Sequence, residues 1–455
     1  MEGWVVKESG FQKNYVRKYE SIMCQGNGYM GVRASTDENY EKNIRYTWVA
    51  GTFDKTKGKN TNKLPNAADT TAVFLTADGI PLNLTQENVK DYKRSLLLYN
   101  GLLERSFTWK PRKGLCLAFH SERFVSLQER HVLGQRVLIR VLEGSATLEL
   151  QSGILGGERC GNSHFTAMQG YVQDGIMQYA ETTYESKITF VTSAVVKTWI
   201  KDSNGKENAV EMAIHPEKEK VMSSCQVVLE QGQELCMEKI CRIATTRDKD
   251  VELADEDSSK PGRDFLLCRE KAEMKKLCER GYRKIWERSQ KCWKQLWQKR
   301  DVEISGKVEY DQLAVRFAIY HLTIMTPHEK NVWTQNDPYF SLPEIDLNIY
   351  RSEEKLRAYQ LFVKARDTDL CLRNNSDYGV HTTSLGVIWQ SCVLGFAGVR
   401  ICDEKLYITP NLPDNWERVT FRLWWRESLL KVTVTKDSVD VKVLKGPKDI
   451  EVITE

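Results

Sequence analysis

The chain has 455 residues, enough for two to four domains that each bury a core, and 41% hydrophobic with 28% charged residues is ordinary globular composition. A net charge of +4 is too dilute for a nucleic-acid-binding surface, and no Lys/Arg block stands out. No apolar run reaches the roughly 18 residues of a membrane span, and "MEGWVVKESGFQKNY" at the start lacks the apolar stretch of a secretion signal. The twelve cysteines, Cys24 to Cys402, include no CxxC pair; Cys236 and Cys241 stand too far apart for paired zinc ligands. They read as reduced, buried side chains, and a cytoplasmic location is expected. "NLT" (83–85) and "NNS" (374–376) match glycosylation sequons that carry no meaning there.

Residues 1–255 read as strands. "LIRVLEGSATLELQSGIL" (138–155) holds two runs around a Gly144-Ser145 turn, with Leu148 and Leu150 opposite in facing to Glu149 and Gln151. "SKITFVTSAVVKTWI" (186–200) is likewise rich in β-branched and aromatic residues. Many short strands separated by turn residues predict a large antiparallel β-sandwich. "ADEDSSKPGRD" (254–264) reads as a charged linker carrying a Pro-Gly break.

Residues 264–304 then read as linker helices. Within 269–300, Tyr282, Trp286, Trp293 and Trp297 share a stripe with Ile285 and Leu296, a pattern of core packing rather than a ligand platform. A helix over 310–325 gathers Leu313, Phe317, Tyr320 and Ile324 and stops at Pro327. An irregular stretch precedes a helix over 353–366, capped by Ser352 with Glu353 and Glu354 in its first turn. The polar loop "NNSDYGVHTTSLG" (374–386) runs into an apolar helix to about 394, with Gly395 and Gly398 as stops. In the tail, Leu430, Val432 and Val434 alternate with Lys431, Thr433 and Thr435. After Lys436-Asp437-Ser438, Val439, Val441 and Val443 alternate with Asp440 and Lys442, which predicts a hairpin with one wet face over the region 399–455.

Several segments, in order, resemble glycoside hydrolase family 65, the inverting α-glucoside phosphorylases that act on maltose, kojibiose or trehalose. "YESIMCQGNGYMGVRASTDE" (19–38) resembles the family's E-S-x-x-x-x-G-N-G-Y-x-G-x-R stretch. "TWVAGTFD" (47–54), "LPNAADTTAVFLTADGIPLNL" (64–84), "DYKRSLLLYNGLLERSFTW" (91–109) and "SERFVSLQERHV" (121–132) continue the likeness. "NNSDYGVHTTSLGVIWQSCVLGFAGVRICDEKLYITPNLPDNW" (374–416) resembles the last barrel helix leading into the C-terminal sheet. The resemblance implies an N-terminal super-β-sandwich, linker helices, an (α/α)6 barrel and a small C-terminal β-sheet domain. Twelve helices of about 11–12 residues with their connections need roughly 200–300 residues. Residues 305–398 supply 94, in which three helices can be placed. The expected fold is therefore multidomain α+β, with residues 305–398 a truncated remnant of the barrel.

The resemblance implies an α-glucosyl disaccharide and inorganic phosphate as substrates, with no cofactor. Phosphorolysis needs a carboxylic acid to protonate the departing oxygen and an anion site for the attacking phosphate. The family's acid lies in a D-E-Y/H segment and its glucose grip in W-D-T-E; neither occurs here, and no catalytic residue is assigned. Glu329, Glu344 and Asp346 lie at the break in the resemblance without matching surroundings. The family's phosphate pattern G-x-H-x-A-S-x-G-G maps onto Gly379, His381, Thr383, Ser384, Gly386 and Val387. His381, Ser384 and Gly386 match as phosphate-binding residues, while Thr383 and Val387 depart from it. The expectation is a phosphorylase relative that is inactive alone. A non-catalytic carbohydrate-binding or assembly module is the alternative, with Trp424 or Trp425 facing outward, and a hydrolase with a rebuilt site is a third. With barrel neighbours absent, Phe317, Ile388 and Trp389 must find other partners or stay exposed, so self-association through the helices is expected.

Overall fold

The computed structural model describes residues 3–38, 44–55, 62–84, 87–156, 164–248, 262–326, 355–371 and 375–454. Two antiparallel sheets dominate the first half. The larger has the strand order Val5–Ser9, Val89–Leu97, Leu102–Arg112, Leu115–Val125, Val132–Glu143, Glu234–Thr245, Thr189–Lys201, Ile176–Thr183 and Phe165–Gln173, with Glu207–Val210 added beside Thr189–Lys201. The smaller runs Ala213–Pro216, Lys220–Glu230, Ser145–Leu155, Val73–Ala77, Ile80–Pro81. Alternation decides their faces: Val137, Ile139 and Val141 of one sheet meet Leu148, Leu150 and Leu229 of the other in a shared core.

The expected sandwich is present, but the turn at Gly144-Ser145 is not a hairpin. Val132–Glu143 and Ser145–Leu155 belong to different sheets, and each pairs with strands distant in sequence. The chain crosses between layers there, with Gly144 at a positive φ of 83°. Period-2 patterning reports which face is buried and says nothing of which neighbour accepts the hydrogen bonds.

Helix α1 (Val16–Ile22) precedes a three-stranded clasp, Gln25–Gly26, Met30–Val32 and Thr47–Val49. The Trp stripe lies on the second of two helices, α2 (Gly262–Arg280) and α3 (Tyr282–Arg300), which are broken at Gly281 where φ is 77°. Leu266, Met274, Leu277, Tyr282 and Ile285 cover the outer face of the large sheet against Phe124, Val132, Ala180, Val191 and Ile240. Trp293 and Trp297 pass beyond it into a further core.

That further core has no single owner. It joins Val6, Leu96 and Leu98 of the sandwich to helix α4 (Glu309–Met325), helix α5 (Lys355–Leu370) and helix α6 (Thr382–Gln390) with its continuing π-helical turn Ser391–Phe396. Phe421, Leu430, Val432 and Val434 of the C-terminal sheet complete it. Phe317 and Ile388 are buried in it and Trp389 packs against it, so these side chains have found partners outside a barrel. Asp311 ties three pieces together: its carboxylate accepts from Tyr359 Oη at 2.8 Å, Arg366 Nη1 at 2.6 Å and Trp416 Nε1 at 2.9 Å.

The C-terminal hairpin pairs Ser428–Thr435 with Val439–Lys445, as the alternation predicts. Its sheet also takes Trp416–Trp425 and, at the edge, Glu303–Gly306, residues that the sequence placed at the junction of linker helices and barrel. Beside it, Val399–Cys402 and Lys405–Ile408 are antiparallel, and Val452–Thr454 joins the latter as the one parallel pair among the described strands. Gly398, at φ 70°, is required where the π-turn meets this sheet, because a Cβ there would lie 1.7 Å from Thr409 O. Helix α5 extends to Leu370, one turn beyond the end expected at 366.

Candidate functional site

The segment 19–38 that carried the N-terminal resemblance works as a clamp. Glu20, buried, pairs with Arg33 at 3.3 Å. Arg33 Nη2 also donates to Arg17 O and Asp377 O, each at 2.9 Å, and so fixes the loop leading to His381. Gly28, with φ 80°, donates its N–H to Ile324 O at 2.8 Å and locks the clasp onto the end of α4. Asn27 Nδ2 reaches Ser126 O and Arg130 O, and Tyr29 Oη reaches Asp248 Oδ1. The wall between this clamp and the helices leaves a cleft of about 330 Å³, lined in part by Trp48, Arg33, Ile324, Met325 and Tyr378. His381 and Ser384 do not line it.

His381 is the N-cap of α6, with φ −87° and ψ 94°. Its ring Nδ1 lies 2.8 Å from Asp369 Oδ1, and its backbone N–H donates to Asp369 Oδ2 at 3.0 Å. Asp369 stands in the last turn of α5 and is buried; Ser376 Oγ donates to it at 2.7 Å. Lys18 Nζ donates to Leu370 O at 2.8 Å, closing the same helix end with a cation. The His381 side chain remains 42% exposed, and among the described residues its Nε2 has no hydrogen-bond partner.

One helical turn on, Ser384 is half-buried and its Oγ is also without a partner among the described residues. The first intrahelical bond is Leu385 N–H to His381 O at 3.1 Å, and no side chain caps the helix. The N–H groups of Thr382, Thr383 and Ser384 are thus left at the positive end of the helix dipole. His381 and Ser384, at N-cap and third helical position, stand on neighbouring sides of that end. Gly386 does not join them. It is buried inside the helix, where its N–H serves the Thr382 carbonyl.

His321 shows the contrast. It is fully buried in α4, where Nε2–H donates to Ile22 O at 3.1 Å and Nδ1 faces Cys24 Sγ at 3.7 Å. Burial pushes its pKa down to about 4, so it is a neutral packing group. Asp369 was not singled out in the sequence, yet a signal existed. Ala358, Phe362 and Asp369 are the buried residues of α5 and fall on one stripe, so a carboxylate sits where periodicity asks for an apolar group. Glu329, Glu344 and Asp346 lie outside the described residues.

A two-sheet N-terminal sandwich is thus joined through paired helices to a small C-terminal sheet, with a histidine at a helix N-terminus between them. The profile of the glycosyl hydrolase family 65 N-terminal domain matches residues 6–296, and that of the C-terminal domain matches 399–454. The chain belongs to glycoside hydrolase family 65.

Kojibiose phosphorylase of Halothermothrix orenii is 32% identical over 334 residues, 73% of this chain and 42% of that protein. Kojibiose phosphorylase of Escherichia coli is 26% identical over 324 residues, covering 71% and 40%. The 1,2-alpha-glucosylglycerol phosphorylase of Bacillus selenitireducens is 27% identical over 340 residues, covering 72% and 40%. The chain therefore spans about two fifths of the length of these curated relatives. A solved structure titled a putative kojibiose phosphorylase from human microbiome shares the fold with a TM-score of 0.76 at 13% identity, covering 100% of this chain and 97% of that one.

Proposed function

We propose that this chain is a disaccharide-phosphorylase homologue that keeps the phosphate end of the reaction site and lacks the acid end. The reaction of the longer relatives, on this reading, takes an α-linked glucosyl disaccharide and phosphate to β-glucose 1-phosphate and glucose. The observation that carries the proposal is the end of α6, where His381 Nε2, Ser384 Oγ and three amides are available to an anion. Gly386, the third residue that the family pattern names, lies buried within that helix. Phosphate is itself the nucleophile, so the remaining requirement is a general acid, and neither family segment that would supply the acid or grip the glucose is in the sequence. Residues 305–398 are, on this reading, a remnant of the (α/α)6 barrel between a sandwich domain (1–255), linker helices (264–304) and a sheet domain (399–455). Unpaired cysteines fit a cytoplasmic setting, and no described helix is long and apolar enough to cross a membrane.

Loss of a general acid costs about 10²–10⁴ in rate, and loss of the walls that orient the sugar removes about 7–11 kcal/mol of positioning. Incubation with maltose, kojibiose, nigerose and trehalose plus phosphate is expected to yield no glucose 1-phosphate above background. Turnover that vanishes in Glu344→Gln would overturn the proposal. One observation favours a second reading, a carbohydrate-binding or assembly module: Trp424 is 58% exposed on the C-terminal sheet. Retention on an α-glucan matrix that is abolished by Trp424→Ala would establish it.

A further inference from the structure

Asp369 does more at this site than end a helix. Its carboxylate takes the His381 ring nitrogen at 2.8 Å, the His381 backbone N–H at 3.0 Å and the Ser376 hydroxyl at 2.7 Å. An ionised carboxylate only accepts, so the nitrogen facing it must carry the hydrogen. Backbone and ring of His381 are held by one group, which fixes both where the imidazole stands and which way it turns. Free imidazole side chains in water favour the opposite tautomer, with the hydrogen on Nε2. We propose that Asp369 is the positioning residue of His381: it holds the neutral ring as the Nδ1–H tautomer and thereby sets Nε2 as the nitrogen that meets an anion. That the anion is phosphate rests on the function proposed above.

The arrangement has a chemical consequence. A buried carboxylate close to an anion site repels the anion, so its presence must be offset by what it does to the ring. With Nδ1 committed inward, neutral His381 offers a lone pair at Nε2, and hydrogen phosphate or dihydrogen phosphate carries the O–H that fills it. If the proton instead resides on the ring, Nε2–H donates to the phosphate and the imidazolium balances Asp369. In both descriptions one proton lies between Nε2 and a phosphate oxygen, and no other reactant is needed. Two features keep Asp369 in place independently of His381: Lys18 on the neighbouring Leu370 carbonyl and the Ser376 hydroxyl. The orientation is therefore built into the folded chain before any ligand arrives.

The test uses the full chain labelled with 15N at histidine, read by long-range 1H–15N correlation of the rings above the titration range of histidine. His321, buried nearby with its own fixed hydrogen bonds, reports whether each variant is folded. The parent is expected to show His381 with a protonated Nδ1 and a bare Nε2. In Asp369→Asn, with His321 unchanged, the ring is expected to shift toward the Nε2–H form. Affinity for inorganic phosphate is expected to fall about tenfold, the low end of the loss seen when the carboxylate that orients a metal-ligating imidazole is removed. Ser376→Ala, which removes one bond to Asp369 without touching the ring, should move the tautomer ratio in the same direction by less. An Nε2–H tautomer in the parent, or a ratio identical in Asp369→Asn, overturns the proposal. A tautomer that shifts in Asp369→Asn while phosphate perturbs no His381 resonance in the parent supports the positioning role and refutes phosphate as the occupant.

Discussion

The sandwich and the helical middle bury their side chains by different means. In the sandwich two sheets supply both walls of the core, and even its charges are enclosed with partners. Arg105 lies beside the stacked rings of Phe107 and Phe119 and bonds Glu38 Oε1 at 2.8 Å and Asp37 Oδ2 at 3.0 Å. The helices have no core of their own. Helix α4 is covered by the clamp on one side and by α6 on the other, and twelve of its residues are buried. Helix α5 buries only Ala358, Phe362 and Asp369 and exposes Leu356 and Leu361. Helix α4 is the more apolar of the two by sequence, and it is also the one that more neighbours reach. Helical stability in proteins comes mostly from such packing, so the contrast predicts where the chain is strong and where it opens.

The largest effect is expected in the sandwich. Arg105→Met removes the cation that bonds Glu38 and the nearer of the two that hold Asp37, with Arg123 remaining at 3.8 Å, and breaking a buried pair in this way costs about 3–5 kcal/mol. Burial pushes the Asp37 carboxyl up, and Arg105 and Arg123 together hold it below the usual carboxylate range. Urea denaturation should show the loss. Adding Asp37→Asn and Glu38→Gln should restore part of it, because the penalty is the unpaired charge rather than the missing contact. A single Arg105→Met variant as stable as the parent would show that the enclosed charges are dispensable to the sandwich.

A smaller effect belongs to the seam between the regions. His321 has a folded pKa of about 4 against an ordinary value of 6.5. As pH falls below 6.5, the unfolded chain binds a proton that the folded one refuses, so stability drops until about pH 4. The loss approaches about 3 kcal/mol over that window. His321→Gln keeps a donor for Ile22 O and does not titrate. Its stability curve between pH 4 and 6.5 should be flatter than the parent's by about that amount; parallel curves would assign the acid sensitivity elsewhere.

Much of this contrast was legible in the sequence. Alternation marked Leu430, Val432 and Val434 as the inner face of the C-terminal sheet, and the Trp293–Trp297 stripe marked a core. Both patterns are local, and local periodicity is what burial writes into a sequence. What connects distant segments leaves no such trace. Arg33 reaches Asp377 across 344 residues, and Glu303–Gly306 joins strands more than a hundred residues later. At the candidate site, resemblance to the family supplied His381 and Ser384. The same resemblance named Gly386, which the structure places inside α6 instead of at its end, and it passed over Asp369. The fold makes Asp369 part of the site by bringing two helix ends together.

The smallest energetic effect concerns the uncovered side of α5. Leu356 is 72% and Leu361 40% exposed, so replacing both with lysine should change folding stability by no more than about 0.5 kcal/mol per site. The same replacement should change association, because two apolar side chains on a helix covered from one side gain from meeting a second copy, whereas two lysines repel it. Sedimentation velocity over a concentration series is expected to show the parent's average mass rising with concentration and the double variant staying monomeric. If the parent is monomeric throughout, α5 is adequately covered as it stands, and the contrast between sandwich and helices is one of charge burial alone. If both associate equally, the contact lies on another face. Only a difference between the two variants at equal folding stability ties association to the incomplete covering of α5.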